Sequence, residues 1–270
     1  MFPRNTIILI VVILTMNLRS LRNRWRQKIL LKFGDFVKFF YGEKNILKGN
    51  NIVVLHQGRS GSTLLAKKLS GSPSHKIKSF SEIYSNSYIP MEEGMKDIIH
   101  SLSYTTKLKN KFYEIKFGLG NHLSFCMEKD FLELIHSGCK FLIIIRKNAL
   151  SQAKSNVYGF YSDNKYHYKL NEKVSFKKIK INRPFLIGGM FFSSLEEVAS
   201  YINSQNELLI HFLDKLSAIY EIIYYEDIVE KNKIVEKSIC NLLKINGLIF
   251  SKKIKTIKTP TNYDTNLIID

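Results

Sequence analysis

Residues 56–69 read HQGRSGSTLLAKKL and follow the apolar run NIVVL at 51–55. A strand, a glycine-bearing turn and a helix start in that order gather backbone N–H groups around an anion. From Gly58 through Arg59, Ser60, Gly61 and Ser62 to Thr63, the amides converge on a helix N-terminus. Ser62 and Thr63 add hydroxyl donors, and Arg59 adds a guanidinium fork. A Walker A loop, G-x-x-x-x-G-K-[ST], uses its lysine to reach the terminal phosphates of Mg-ATP. Here no lysine precedes the hydroxyl residues, and the glycines stand three apart. The expected ligand is therefore a phosphate- or sulfate-like anion held without the Mg-ATP apparatus. A ligand-free Gly-Ser turn is the plain alternative.

The elements that must position this loop follow from the apolar pattern. Strand-like runs fall at 51–56, 75–80, 111–117, 139–145 and 218–224. Helical periodicity marks 62–70, 93–108, 121–136, 147–158, 194–215 and 227–244. Several strand runs are continuously apolar, as strands covered on both faces are. Strands separated by helices predict right-handed crossovers, hence an α/β fold whose mostly parallel sheet carries helices on both faces. Ligands of such sheets bind at the carboxyl ends of the strands, which is where the 58–63 loop falls. The stretch 159–184 mixes aromatic residues with lysines and has no clean period. It reads either as an acceptor-binding lid or as a surface insertion.

The chain has 270 residues, enough for one substantial core, and the domain is expected to span 51–270. A formal net charge of +18 suits a polyanionic partner: a phosphorylated cofactor or an anionic membrane surface. Richness in Lys, Ile and Asn together allows the blander reading of a solvated basic surface. The pattern matches no nucleic-acid module, so no nucleic-acid partner is expected. Cys126, Cys139 and Cys240 are scattered and form no C-x-x-C, which fits a reducing compartment. No His/Asp cluster has ligand spacing, so no metal is expected.

Residues 1–50 stand apart. The apolar run 7–16 (IILIVVILTM) is shorter than the roughly 20 residues of a spanning helix. Arg19, Arg22, Arg24, Arg26 and Lys28 follow it, with no small-x-small cleavage site. Those charges would keep the rest of the chain on the cytoplasmic side if the run inserts. Leu21, Trp25, Ile29, Phe33, Val37 and Phe40 then recur at helical spacing between basic residues. That is the pattern of an interfacial amphipathic helix, or of a helix packed on the domain. The expected location is cytoplasmic, with residues 1–40 able to rest on the inner membrane surface.

The loop resembles the 5′-phosphosulfate-binding loop, RSG-[ST]-T-x-L, of sulfotransferases that use 3′-phosphoadenosine-5′-phosphosulfate (PAPS). Other stretches follow in that family's order. IIIRKNALSQAKSNV (143–157) is similar to its second nucleotide segment, where an arginine and a helix serine hold the 3′-phosphate. The resemblance assigns Arg146 and Ser155 to that role. Their spacing is nine, and the family's alternative of eight would use Lys147, which lacks the bidentate fork. The Gln152-to-Ser155 ending resembles the bacterial carbohydrate sulfotransferases in particular. IIYYEDIVEKNKIVEKSICNLLKINGL (222–248) resembles the family's Y-E-D strand end, in which Glu226 and Asp227 are structural. IKTPTNYDTNL (257–267) resembles its C-terminal N-Y segment and offers Lys258 as a cation over the nucleotide. The likeness runs in patches from 51 to 267.

The resemblance implies a P-loop-like α/β architecture and transfer of the sulfuryl group from PAPS, without a metal, to a hydroxyl of a carbohydrate, glycolipid or similar acceptor. Arg59 and the 58–63 amides would neutralise the transferring group, with Lys116 beside them. Glu82, in SFSEIYS after the second strand, takes the place of the family's general base. His122, beyond the third strand, is the competing base, since a neutral imidazole suits pH 7. Two readings from other classes remain: a nucleotide kinase or NTPase with a degenerate loop, and a non-catalytic nucleotide-binding protein at a membrane surface.

Overall fold

The computed structural model describes residues 47, 49–84, 99, 102–103, 106–117, 127–161, 179–251 and 267–269, with backbone alone for 81–84 and 127. Residues 1–46, His122, Lys258 and most of the 93–108 helix lie outside this set.

Continuous apolar runs make the central sheet. Its five strands are β1 (Asn50–Gln57), β2 (Ile77–Tyr84), β3 (Asn110–Phe117), β4 (Lys140–Ile145) and β8 (Tyr220–Tyr224), in the order β2-β3-β1-β4-β8. Every neighbouring pair is parallel. Side chains alternate between faces along a strand, so each central strand feeds two cores. On one face Val53, Leu55, Tyr113, Ile115, Phe141 and Ile143 pack under α2 (Met127–His136) and α4 (Leu195–Lys215). Phe131 of α2 stacks on Phe141, with ring centroids 5.4 Å apart, and meets Phe212 of α4 edge-on. On the other face Ile52, Val54, Phe112, Leu142 and Ile144 pack under α1 (Ser62–Ser70) and α6 (Asn232–Leu243). The predicted fold class is observed: a parallel sheet with helices on both faces.

Of the 159–184 stretch, read as a lid or an insertion, residues 162–178 lie outside the described set, and the described ends belong to regular structure or lead into it. Helix α3 (Ala149–Tyr161) outruns its predicted end, and β5 (Ile179–Ile181) pairs in parallel with β9 (Leu267–Ile269). A hairpin of β6 (Phe185–Ile187) and β7 (Met190–Phe192) follows. These pieces share a third apolar cluster in which Ala153 and Val157 of α3 meet Val198 and Ile202 of α4. Helix α4 starts at Ser194, whose hydroxyl accepts from the Glu197 amide at 3.1 Å. No helix among the described residues is long and apolar enough to cross a membrane.

One predicted helix, 227–244, is two: α5 (Tyr225–Glu230) and α6, broken at Lys231. Ile228, Val235, Ile239 and Leu242 keep an unbroken helical period, which is why the pattern hides the break. The cause lies in α1. Lys68, 4 % exposed, donates through Nζ to the Ile228 carbonyl at 2.6 Å and to Asn232 Oδ1. In a continuous helix that carbonyl would belong to the Asn232 amide. Burial lowers the Lys68 pKa, opposed by Glu236. At the start of β4, burial pushes the Cys139 thiol up to about 12 against the pull of Lys111. Such a thiol is inert.

Replacing Lys68 by Met keeps the apolar stem but removes the donor, leaving the Ile228 carbonyl buried without it. A loss of about 1–3 kcal/mol is expected, read as a lower urea midpoint at constant slope.

Candidate active site

The loop after β1 has a backbone that turns its amides inward. Arg59 (φ 64°) and Gly61 (φ 89°) take left-handed conformations in the turn that leads to Ser62. Such reversals of hand bend successive N–H groups toward one point. Helix α1 starts behind them with Gly61 as its N-cap and no side-chain cap hydrogen bond. Its first turn, Ser62-Thr63-Leu64, carries no carboxylate, so the positive end of the helix is not neutralised locally.

The carbonyl groups of the same loop are held from outside it. Gln152 Nε2 donates to the Gly58 oxygen at 2.7 Å, and Asn156 Nδ2 donates to it at 3.3 Å. These two residues sit one turn apart on α3, so a single helix face grips the loop. In a trans peptide the N–H points opposite to the C=O. Fixing the Gly58 carbonyl therefore fixes the direction of the Arg59 amide. Lys116, near the end of β3, lies against the same glycine. A Cβ at Gly58 would stand 2.9 Å from Lys116 Cε, 3.4 Å from its Nζ and 2.9 Å from Asn156 Oδ1. A side chain at position 58 would have to displace the Lys116 stem and the Asn156 amide that now lie against the loop.

A third cation comes from the end of β4. Arg146 Nη2 donates to Ser151 Oγ at 2.8 Å, and its guanidinium lies 4.8 Å from the centroid of the Tyr225 ring. The resemblance gives Arg146 and Ser155 a shared 3′-phosphate. In the structure Arg146 bonds Ser151, and buried Ser155 lies one turn further along α3. Lys147 is drawn elsewhere: its Nζ is 3.5 Å from Asp227 Oδ1 and 4.6 Å from the Tyr224 ring centroid. The start of α3 is pinned twice. Asn148 Oδ1 accepts from the Ser151 amide at 2.8 Å, and the Glu226 carboxylate accepts from the Lys147 and Asn148 amides at 3.1 and 3.4 Å. Glu226 and Asp227 thus hold backbone and cation in place.

Tyr225 joins the two halves. A Cβ at Gly61 would stand 2.3 Å from its Cδ2, so the ring packs directly on the loop while its π-face carries Arg146. Below the loop, His56 Nε2 lies 3.2 Å from Glu114 Oε1, with both side chains buried. Several buried polar atoms in this region have no hydrogen-bond partner among the described residues: both ends of the Gln57 amide, Ser60 Oγ, Gln152 Oε1 and Arg146 Nε. Each such group costs about 1–3 kcal/mol. With Arg59, Lys116 and Arg146 beside them, Ser60 Oγ and Arg146 Nε suit a polyanion that accepts several hydrogen bonds.

The structure brings Gly58, Arg59, Ser60, Gly61, Ser62, Thr63, Lys116 and Arg146 together at the carboxyl edges of β1, β3 and β4. Glu82 requires a correction. It lies within β2, on the edge of the sheet, and not in a loop after the strand. The pairing shifts from Phe80↔Tyr113 to Tyr84↔Ile115, so Glu82 falls in a bulged stretch. Bulges re-aim side chains beside active sites. Among the described residues no group of three metal-ligating side chains forms. The sequence reading missed Gln152 and Asn156 as loop anchors, Tyr225 as the platform, and His56 with Glu114. The signal for the last pair was present: ionisable residues that adjoin apolar runs inside strands covered on both faces.

No family model and no curated protein matches this chain. Among solved structures it is similar to the crystal structure of mouse sulfotransferase SULT7A1 complexed with PAP, at 17% sequence identity and a TM-score of 0.41. The match covers 80% of this chain and 64% of that one, so the chain spans just under two thirds of that protein's length.

Ala at position 61 meets both a left-handed backbone and the Tyr225 ring. Gly61→Ala is expected to cost about 1–3 kcal/mol and to weaken anion binding, measured by thermal unfolding with and without inorganic pyrophosphate.

Proposed function

We propose that this chain is a PAPS-dependent sulfotransferase that moves the sulfuryl group to a hydroxyl of a carbohydrate, glycolipid or similar acceptor. The observation that carries the reading is one anion cradle fed by cations from three strand ends, with no lysine at the Walker A position. In sulfuryl transfer a bond forms between the acceptor oxygen and sulfur as the bond from sulfur to the 5′-phosphate oxygen breaks. Negative charge builds on that bridging oxygen, and the acceptor proton must leave. As in phosphoryl transfer, positioning and electrostatics dominate.

Each role has a candidate in this chain. The 58–63 amides and Arg59 bind the 5′-phosphosulfate, and Lys116, lying against Gly58, neutralises the departing oxygen. Arg146 takes the 3′-phosphate with the hydroxyls of Ser151 and Ser155, its guanidinium plane steadied by Tyr225. Lys258 covers the nucleotide. Glu82 is the proposed base, supported by the bulge that bears it at the sheet edge, and His122 is its rival. Residues 1–40 are proposed to hold the enzyme at an anionic membrane surface, near glycolipid acceptors.

Two measurements test this. 3′-Phosphoadenosine-5′-phosphate (PAP) at about 100 times its Kd is expected to stabilise the protein by about 2.7 kcal/mol without Mg²⁺, where ADP gives less. A preference for Mg-ATP would favour the kinase reading. Glu82→Ala is expected to keep PAP binding and lose about 10²-fold or more in transfer. Unchanged turnover would take Glu82 out of the mechanism and turn attention to His122.

A further inference from the structure

Two neighbouring strands part at the floor of the site, and a buried histidine stands at the parting. β1 pairs with β3 out to Gln57↔Phe117, but with β4 only as far as His56↔Ile144. Backbone groups alternate sides along a strand. Asn50 donates to the Lys109 oxygen on the β3 side, so the odd-numbered residues of β1 turn their carbonyls toward β4. The Gln57 carbonyl is therefore the first on that side beyond the last β1–β4 pair. It is not abandoned: His56 Nδ1 lies 2.8 Å from it, buried. A carbonyl oxygen accepts and never donates, so Nδ1 carries the proton.

The other ring nitrogen fixes the ring. His56 Nε2 is 3.2 Å from Glu114 Oε1 on β3, off the axis of a linear hydrogen bond but within ion-pair distance, and the two side chains are 2 % and 3 % exposed. A ring turned over would put carbon against both oxygens. Contact between Nε2 and a carboxyl oxygen requires a proton held between the two groups in addition to the one on Nδ1, so both ring nitrogens are engaged. Lys116 stands opposite His56 in the β1–β3 register and reaches Gly58.

We propose that His56, braced by Glu114, is the positioning residue that ends β1–β4 pairing and so shapes the anion loop. Its Nδ1–H takes the place of a β4 amide at the Gln57 carbonyl. β4 is then free to diverge after Ile145, and Arg146 turns to Ser151 and Tyr225 instead of extending the ladder. The next carbonyl, that of Gly58, is taken by Gln152 and Asn156. Two consecutive carbonyls at the lip of the site are thus capped by side chains, where bare oxygens would repel a phosphate. This role presupposes the anion-binding loop proposed above.

The test uses three substitutions in the full chain. Asn places an amide donor where His carries Nδ1, whereas Gln places it one bond further out and Ala has none. Calorimetric titration with PAP, and separately with inorganic pyrophosphate, is expected to show about tenfold weaker binding for His56→Ala and His56→Gln. His56→Asn is expected to bind within about threefold of the parent, a rescue that a merely space-filling role would not give. Histidine ¹⁵N NMR of the unmodified protein reads the tautomer directly, whether or not the variants fold. A His56 ring with unprotonated Nδ1, or an Asn variant as weak as Ala, overturns the proposal. Binding of pyrophosphate but not PAP would sink the sulfotransferase reading while leaving the His56 series to be read with pyrophosphate. Binding of neither anion overturns both.

Discussion

A loop that turns its amides toward an anion must dispose of its carbonyls, and much of this molecule is arranged around that constraint. Peptide groups are rigid and polar at both ends, so every N–H aimed inward sends an oxygen outward. At Gly58 the oxygen is received by Gln152 and Asn156, and at Gln57 by His56. The loop conformation is therefore not a local property of glycine and serine. It is held by a helix that follows a different strand and by a histidine in the sheet.

That dependence extends outward in steps. Gln152 and Asn156 are in place because α3 is, and α3 is fixed at its start by Asn148 and Glu226 and along its length by packing on α4. Glu226 belongs to α5, which Lys68 of α1 ties back to the loop's own helix. The chain of contacts closes on itself. Three cations at the strand ends, Arg59, Lys116 and Arg146, come from loop, β3 and the β4 edge, and Tyr225 links Arg146 to Gly61.

Where the sequence was legible, one local pattern sufficed. Uninterrupted apolar runs at 52–55 and 141–144 can satisfy their surroundings only inside a doubly covered sheet, and α1 runs from Ser62 to Ser70 where its period placed it. Where it was not, two remote residues compete for one group. The break at Lys231 is invisible because the apolar period passes through it, while its cause, the Lys68 ammonium, is 160 residues away. Glu82 was set beyond a strand that continues past it, since Ser and Glu end an apolar pattern without ending backbone pairing.

By itself, then, the sequence determined which backbone would bend and which chemistry it would favour. Glycines at 58 and 61, hydroxyls behind them and apolar strands before them leave few alternatives to an anion-directed turn at a sheet edge. Tertiary structure decided which groups complete it. Gln152, Asn156, Tyr225, His56 and Glu114 act through contacts between elements far apart in the chain, made by side chains whose reach depends on strand order and helix rotation. Periodicity records which face of an element is buried; it carries no information on which remote carbonyl a buried amide or imidazole will meet.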